Sequence, residues 1–342
     1  MSILRLLLIS CFISSSIFAQ QTTIKNLVFE GAGLRGLAYA GALKTLEEKE
    51  VTSKIEKVGG TSAGAIISLL FSLGYTADEM ETIIANTKFQ KFNDGRFFFI
   101  GGIFRMKKKF GWYRGEKFKD WLSELIEVKT GNADITFQEL YDAGYKDLYV
   151  TTTCLNRQEL LVLSRKNYPK MMVKDAVRIS MSVPMYYQAV FVDKEGNTYK
   201  KQNKEASLDV MVDGGLTGNF PIDMFDGIRY NQNQEKIRIP NYETLGLRID
   251  SDRQIKQDRK QQQLAPYPIT DFSDFIGAFY VMTIGKLNRT QLTNDDWNRT
   301  ISISSVGISP KVKKLSMEQK NRLINSGKSY TEAFFNQVSN PL

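Results

Sequence analysis

The sequence predicts an α/β fold, three layers deep (α/β/α), around a mostly parallel central sheet. Short apolar runs alternate with stretches of helical period along the chain. Three of those runs end in glycine-rich turns. The chain has 342 residues, 42% hydrophobic and 24% charged, which is the composition of one large globular domain. In such folds a site lies outside the carboxyl ends of the strands, and all three glycine turns are expected there.

Residues 24–29 (IKNLVF) read as a buried first strand ending at a glycine turn. Residues 34–46 follow, with Leu34, Leu37, Ala38, Leu43 and Leu46 on one helical face. Residues 54–58 read as the second strand, and 65–73 as an apolar helix closed by Gly74. Thr76 with Glu79, and Thr136 with Glu139, have capping-box spacing and start two more helices. Residues 147–154, 159–164, 209–212 and 245–249 read as strands, and 173–182 as a helix stopped before Pro184. A helix over 272–287, an alternating strand over 300–306 and a closing helix over 317–338 complete a domain spanning 24–338. The polar stretch 254–263 (QIKQDRKQQQ) reads as a surface loop.

The N-terminus reads as a signal peptide over residues 1–19, so export to the periplasm or beyond is expected. Arg5 precedes an apolar, serine-containing run too short to span a bilayer, and Ala19 offers a cleavage point. A lipidated Cys11 is the alternative. Cys154 then remains as a lone cysteine closing an apolar run, and reads as structural.

The chain contains no histidine. That excludes Ser-His-Asp and Cys-His catalysis and most catalytic zinc sites, and neither a metal nor a cofactor is expected. The first turn, Gly31-Ala32-Gly33-Leu34-Arg35-Gly36, has the form G-x-G-x-x-G. As a dinucleotide site it needs an acid at the end of the second strand, where Gly59-Gly60-Thr61-Ser62 stands instead. Its small residues expose consecutive backbone N–H groups at a helix N-terminus, where an anion is stabilised. The second turn, Gly60-Thr61-Ser62-Ala63-Gly64, fits G-x-S-x-G between a strand and an apolar helix, the setting of a nucleophile elbow. The third, Asp213-Gly214-Gly215, reads by itself as a turn, but it ends an apolar strand beside the other two.

Taken in order, these turns resemble the patatin-like phospholipase family. Ser180-Met181-Ser182-Val183-Pro184 resembles its S-x-S-x-P stretch, and Asn219-Phe220-Pro221 follows the third turn as in that family. The resemblance implies the family's acyl-hydrolase fold, with Ser62 as nucleophile and Asp213 as general base. It assigns backbone N–H groups of Gly31, Ala32, Gly33 and Leu34 to an oxyanion hole running on to Arg35 and Gly36, with Arg35 anchoring the loop. Elbow logic adds the N–H of Ala63. Gly60, Gly64, Gly214 and Gly215 shape the turns. A lipid ester is the implied substrate, of phospholipase A or lysophospholipase type. Acyl transfer through the same pair, or lipid binding without catalysis, are the alternatives. A free Asp, with a pKa near ~3.9, is a weak base for a serine hydroxyl, so burial and direct contact must compensate.

Charge is concentrated. Residues 88–119, from Lys88 to Lys119, hold ten Lys and Arg, two acids and ten aromatic residues. This pattern suits an anionic membrane surface, and no nucleic-acid partner is expected of an exported hydrolase. Gly101-Gly102 suggests a hinge, making 97–112 a lid or docking hairpin, while Phe97–Phe99 as core is the plainer reading. Residues 115–127 read as an amphipathic helix.

Overall fold

The computed structural model describes residues 23–95, 98–202, 207–260, 264–267, 269–270, 275, 278, 282, 285, 292–309 and 314–339. The leader, Cys11, Phe97 and nearly all of the helix expected over 272–287 lie outside the described residues.

The order of elements follows the alternation read above. Strand β1 (Asn26–Phe29) leads through the first glycine turn into helix α1 (Leu37–Glu48). Strand β2 (Lys57–Gly60) leads through the second into α2 (Ala63–Ser72). Then come α3 (Ala77–Asn86), α4 (Phe98–Lys109), β3 (Gly111–Tyr113), α5 (Glu116–Thr130) and α6 (Phe137–Asp142). Strands β4 (Asp147–Cys154) and β5 (Glu159–Ser164) precede α7 (Val173–Ser180). Short strands β6 (Met185–Tyr187), β7 (Val190–Val192) and β8 (Thr198–Tyr199) lead to β9 (Asp209–Asp213) and the one-turn helix α8 (Gly215–Gly218). A hairpin of β10 (Gly227–Tyr230) and β11 (Lys236–Ile239), then β12 (Thr244–Asp250), α9 (Asp252–Arg259), β13 (Thr300–Ser304) and the terminal helix Met317–Ser339 complete the chain. Both capping boxes form: the Thr76 and Thr136 hydroxyls accept from the N–H groups of Glu79 and Glu139, whose carboxylates accept in return.

Nine strands make the main sheet. Strands β13, β12, β1, β2 and β4 run parallel, while β5, β9, β7 and β8 pair antiparallel. Register explains how the second and third turns meet. Strand β5 occupies one edge of β4 along Tyr149–Cys154. The other edge must therefore carry both β2, with Gly60 opposite Val150, and β9, with Asp213 opposite Thr152. These two strands run toward each other and stop head-on. Asp213 thus reaches the carboxyl edge of the parallel block by running against it, a consequence of β4 outlasting β2.

The side chains of Leu27 and Phe29, and those of Leu245, Leu247 and Ile249, pack into the principal core with α1, α2, α5, α7 and the terminal helix. The opposite face, where strand alternation sends Val28, is covered among the described residues by Phe220 and Ile222, with Phe225 and Leu292 beside them. Among the described residues, most of that layer comes from the segment after the third turn. Cys154 is fully buried, and burial pushes its thiol pKa up, as a structural cysteine requires.

Two local expectations are corrected. The stretch read as a surface loop over 254–263 begins instead with α9, capped by Ser251. Its Asp258 accepts from the buried Arg248 at 2.9 Å and its Gln254 donates to Asp258 at 2.8 Å. The polar face of α9 is satisfied inward, which composition does not reveal. Gly101-Gly102 forms no hinge either: both residues lie within α4. A side chain at Gly102 would meet the Trp112 ring at 2.6 Å, so that glycine serves helix packing.

Candidate active site

The elbow carries a backbone outlier. Ser62 sits at φ 53°, ψ −121°, a region that costs a non-glycine residue about 1–3 kcal/mol. The turn is tight because Gly64 packs on the end of β1: a Cβ there would fall 2.3 Å from the Phe29 carbonyl oxygen. Thr61 locks the floor, its hydroxyl bonded to that of Thr151 at 2.5 Å and donating to the Gly218 carbonyl at 3.0 Å. The Ser62 N–H donates to Ser180 Oγ at 2.8 Å. The Ser62 hydroxyl donates to Met181 Sδ at 3.4 Å.

Asp213 is 2% exposed. Its N–H donates to the Ser182 carbonyl at 3.0 Å, and its carbonyl accepts from the Thr153 hydroxyl at 3.0 Å. One carboxylate oxygen, Oδ1, accepts from the Gly215 N–H at 2.7 Å. The other, Oδ2, is buried without a hydrogen-bond partner. Asp213 is therefore a turn former through Oδ1 and leaves a basic lone pair on Oδ2. Burial pushes its pKa up to about 6, against the Gly215 N–H and the adjacent Ser62 hydroxyl, which favour the ionised form.

The first turn lies against Ser62. A Cβ on Gly31 would stand 3.3 Å from Ser62 Cβ, and one on Gly36 would stand 3.4 Å from Ala63 Cβ. Among the described residues, the N–H groups of Ala32, Gly33, Leu34 and Ala63 donate to no acceptor. Gly31 departs from the expected donor set, because its N–H is taken by the Asn219 carbonyl at 3.0 Å. The N–H of Arg35 is likewise turned onto the Ala32 carbonyl, at 3.3 Å. The Arg35 guanidinium donates to the same carbonyl at 3.1 Å, closing the loop on itself.

Residues outside the three glycine turns support this site. Asn219 clamps the first turn, donating to the Gly31 carbonyl at 3.0 Å and to Glu30 at 3.2 Å. Arg178, buried, donates to Ser182 Oγ and to the carbonyls of Arg114, Gly115 and Gln188. It ties the 180–182 segment to the start of α5. The S-x-S-x-P and N-F-P stretches were visible as strings, but which atom each offers follows only from the fold. Removing the Ser180 hydroxyl leaves the Ser62 N–H unsatisfied. Ser180→Ala is expected to lower stability by about 1–2 kcal/mol and kcat by about tenfold or more with KM little changed. Thermal unfolding and steady-state kinetics check this.

A family model described as Patatin-like phospholipase matches residues 27–226, more than half of the chain and all three turns. The chain belongs to the patatin-like phospholipase family. That membership makes it a lipid acyl hydrolase. The protein R571 of Acanthamoeba polyphaga mimivirus is 27% identical over 309 residues, 90% of this chain and 92% of that one. A probable lipid hydrolase, 463L of Invertebrate iridescent virus 6, is 26% identical over 220 residues, 62% of this chain and 66% of that one. Among solved structures, VipD from Legionella pneumophila superposes with a TM-score of 0.55 at 14% identity, over 92% of this chain and 67% of that one. At that identity the likeness shows the fold.

Proposed function

We propose that the protein cleaves carboxylic ester bonds of lipids, of phospholipase A or lysophospholipase type, with Ser62 as nucleophile and Asp213 as its base. The observation that carries this reading is the unpartnered, buried Oδ2 of Asp213 beside a serine held on a strained elbow. In a chain without histidine, that oxygen is the acceptor the Ser62 proton needs.

In this mechanism the Ser62 hydroxyl turns from Met181 Sδ to Asp213 Oδ2 and gives up its proton as Oγ attacks the acyl carbonyl. The free N–H groups of Ala32, Gly33, Leu34 and Ala63 answer the charge on the tetrahedral oxygen, each such donor being worth about 3–4 kcal/mol in acyl-transfer enzymes. Collapse breaks the ester bond. Asp213 returns its proton to the departing alkoxide, leaving the acyl group on Ser62. Water then enters and attacks the acyl carbon as Asp213 takes its proton. Collapse breaks the bond between Ser62 Oγ and the acyl group, Asp213 returns the proton to Oγ, and the fatty acid is released.

The test is product analysis on a panel of phospholipids and lysophospholipids, with and without an added alcohol. Free fatty acid and lysolipid are expected, together with an acyl adduct on the Ser62 peptide in quenched reactions. Acyl ester of the added alcohol as the dominant product would make the protein an acyltransferase. Lipid binding with no product from any substrate would make it a binding module.

A further inference from the structure

The basic aromatic stretch divides into two parts. Phe89, Phe92 and Phe118 pack with Trp121, ring centroids 5.4–6.1 Å apart, and belong to the core. The outer side of α4 does not. Ile103 is 54% exposed, Phe104 56% and the following Phe110 49%. Met185, opposite Gly111 where β3 pairs with β6, is 71% exposed. Scattered exposed apolar residues are ordinary; these four come from two segments joined by one strand pair.

Cations surround them. Lys107 and Lys108 are exposed on α4, and Lys108 lies over the Phe104 ring at 4.9 Å. The pKa of Lys109 is pulled down first by burial and then by the like charges of Arg114, Lys201 and Lys200, so three chain segments crowd their cations together. Lys200 reaches Glu116 at 3.6 Å. Lys107, Lys108, Lys109, Arg114 and Lys201 have no carboxylate within ion-pairing distance among the described residues. A concentration of unanswered positive charge beside exposed apolar side chains calls for an anionic surface with an apolar interior.

This face is close to the site. Met185 follows Met181 by four residues, so their Cα atoms lie within about 15 Å. Met181 is the residue whose sulfur accepts from Ser62.

We propose that this face docks the protein on an anionic phospholipid bilayer surface. Ile103, Phe104, Phe110 and Met185 enter the headgroup boundary, and the lysines of α4 and residues 200–201 sit on lipid phosphates. Docking rests on the lipid-hydrolase reading and adds where the substrate is met. It also narrows the sequence-level expectation from all of 88–119 to the outer side of α4, its exit and Met185.

The experiment separates the two readings by measuring binding on protein that carries Ser62→Ala. The vesicles are phosphatidylcholine with about one-third phosphatidylglycerol, compared with phosphatidylcholine alone, by sedimentation. Preferential binding to the anionic vesicles is expected. It falls about 100-fold when Lys107, Lys108 and Lys109 are all changed to Gln, roughly fivefold per charge. Phe104→Ser in the parent weakens it as well. In the enzyme with Ser62 intact, the triple Gln change lowers hydrolysis on anionic vesicles while leaving a monomeric short-chain ester within about twofold, which also shows that the variant folds. Equal binding of parent and variant, equal binding to both vesicle types, or tighter binding of the parent to duplex DNA would overturn the proposal. Binding by the Ser62→Ala protein, with no hydrolysis by the parent, would overturn the catalytic reading and leave the docking face standing.

Discussion

Ser62→Ala lowers kcat/KM for lipid ester hydrolysis by about 10⁴-fold or more while the protein stays folded. The expectation has two parts. The covalent route ends, because no other hydroxyl or thiol is placed on this elbow: Thr61 is locked to Thr151 and Gly218, and Cys154 is buried on β4. Stability changes little, because the lost hydroxyl makes one long contact, with Met181 Sδ at 3.4 Å, besides its pull on the Asp213 carboxylate. Alanine still suffers the positive φ, so Ser62→Gly is expected to unfold at a higher temperature than Ser62→Ala, by about 1–2 kcal/mol of relieved strain. Kinetics, acyl-enzyme mass spectrometry and thermal melts of the two variants check both parts. Retained acylation in Ser62→Ala would place the nucleophile elsewhere.

Asp213→Asn is expected to move activity and stability in opposite directions. Activity falls by about 10³-fold or more, since Asn keeps the Oδ1 acceptor for the Gly215 N–H but offers no base. The stability effect follows from the raised pKa. An acid that titrates at about 6 when folded and near ~3.9 when unfolded binds its proton more tightly in the folded state. As pH rises from about 4 to 6 the unfolded state ionises first, so the group costs stability progressively, and above about pH 6 the full cost is present. Two units correspond to about 3 kcal/mol. Asp213→Asn is therefore expected to be more stable than the parent by up to about 3 kcal/mol at pH 8, with little difference at pH 4. Denaturant unfolding at both values tests this. A variant less stable than the parent at pH 8 would mean that the carboxylate is satisfied in a way its surroundings do not provide. Activity gained at the expense of stability is a familiar trade at enzyme sites.

Much of this was legible in the chain. β1, β4, β5, the two capping boxes and the terminal helix fall where apolar period and cap residues put them, because those signals are local. β2 lies later than read, at Lys57–Gly60 rather than 54–58. A strand that ends in two buried glycines has no apolar side chains at its end to betray it. The three turns were legible as strings. What could not be read is that β9 runs antiparallel and meets β2 head-on, since that depends on β4 being eight residues long and shared along one edge. The Gly31 N–H was misassigned for a similar reason: its acceptor, the Asn219 carbonyl, is supplied from far along the chain. Helix α9 was missed because its buried partner, Arg248, belongs to the neighbouring strand. Pairwise, long-range satisfaction of polar groups leaves no period in a sequence.

The central claim is that Asp213 itself, without imidazole, draws the proton from Ser62. The pH dependence of inactivation by a lipid-like fluorophosphonate tests it most directly, because that reagent reports the activated hydroxyl before any later step. The rate constant is expected to rise with pH through an apparent pKa of about 6 and then level, and to fall at least about 100-fold at pH 8 in Asp213→Asn. A rate that is flat across pH 5 to 8, or an Asp213→Asn protein that is inactivated as fast as the parent, would contradict it.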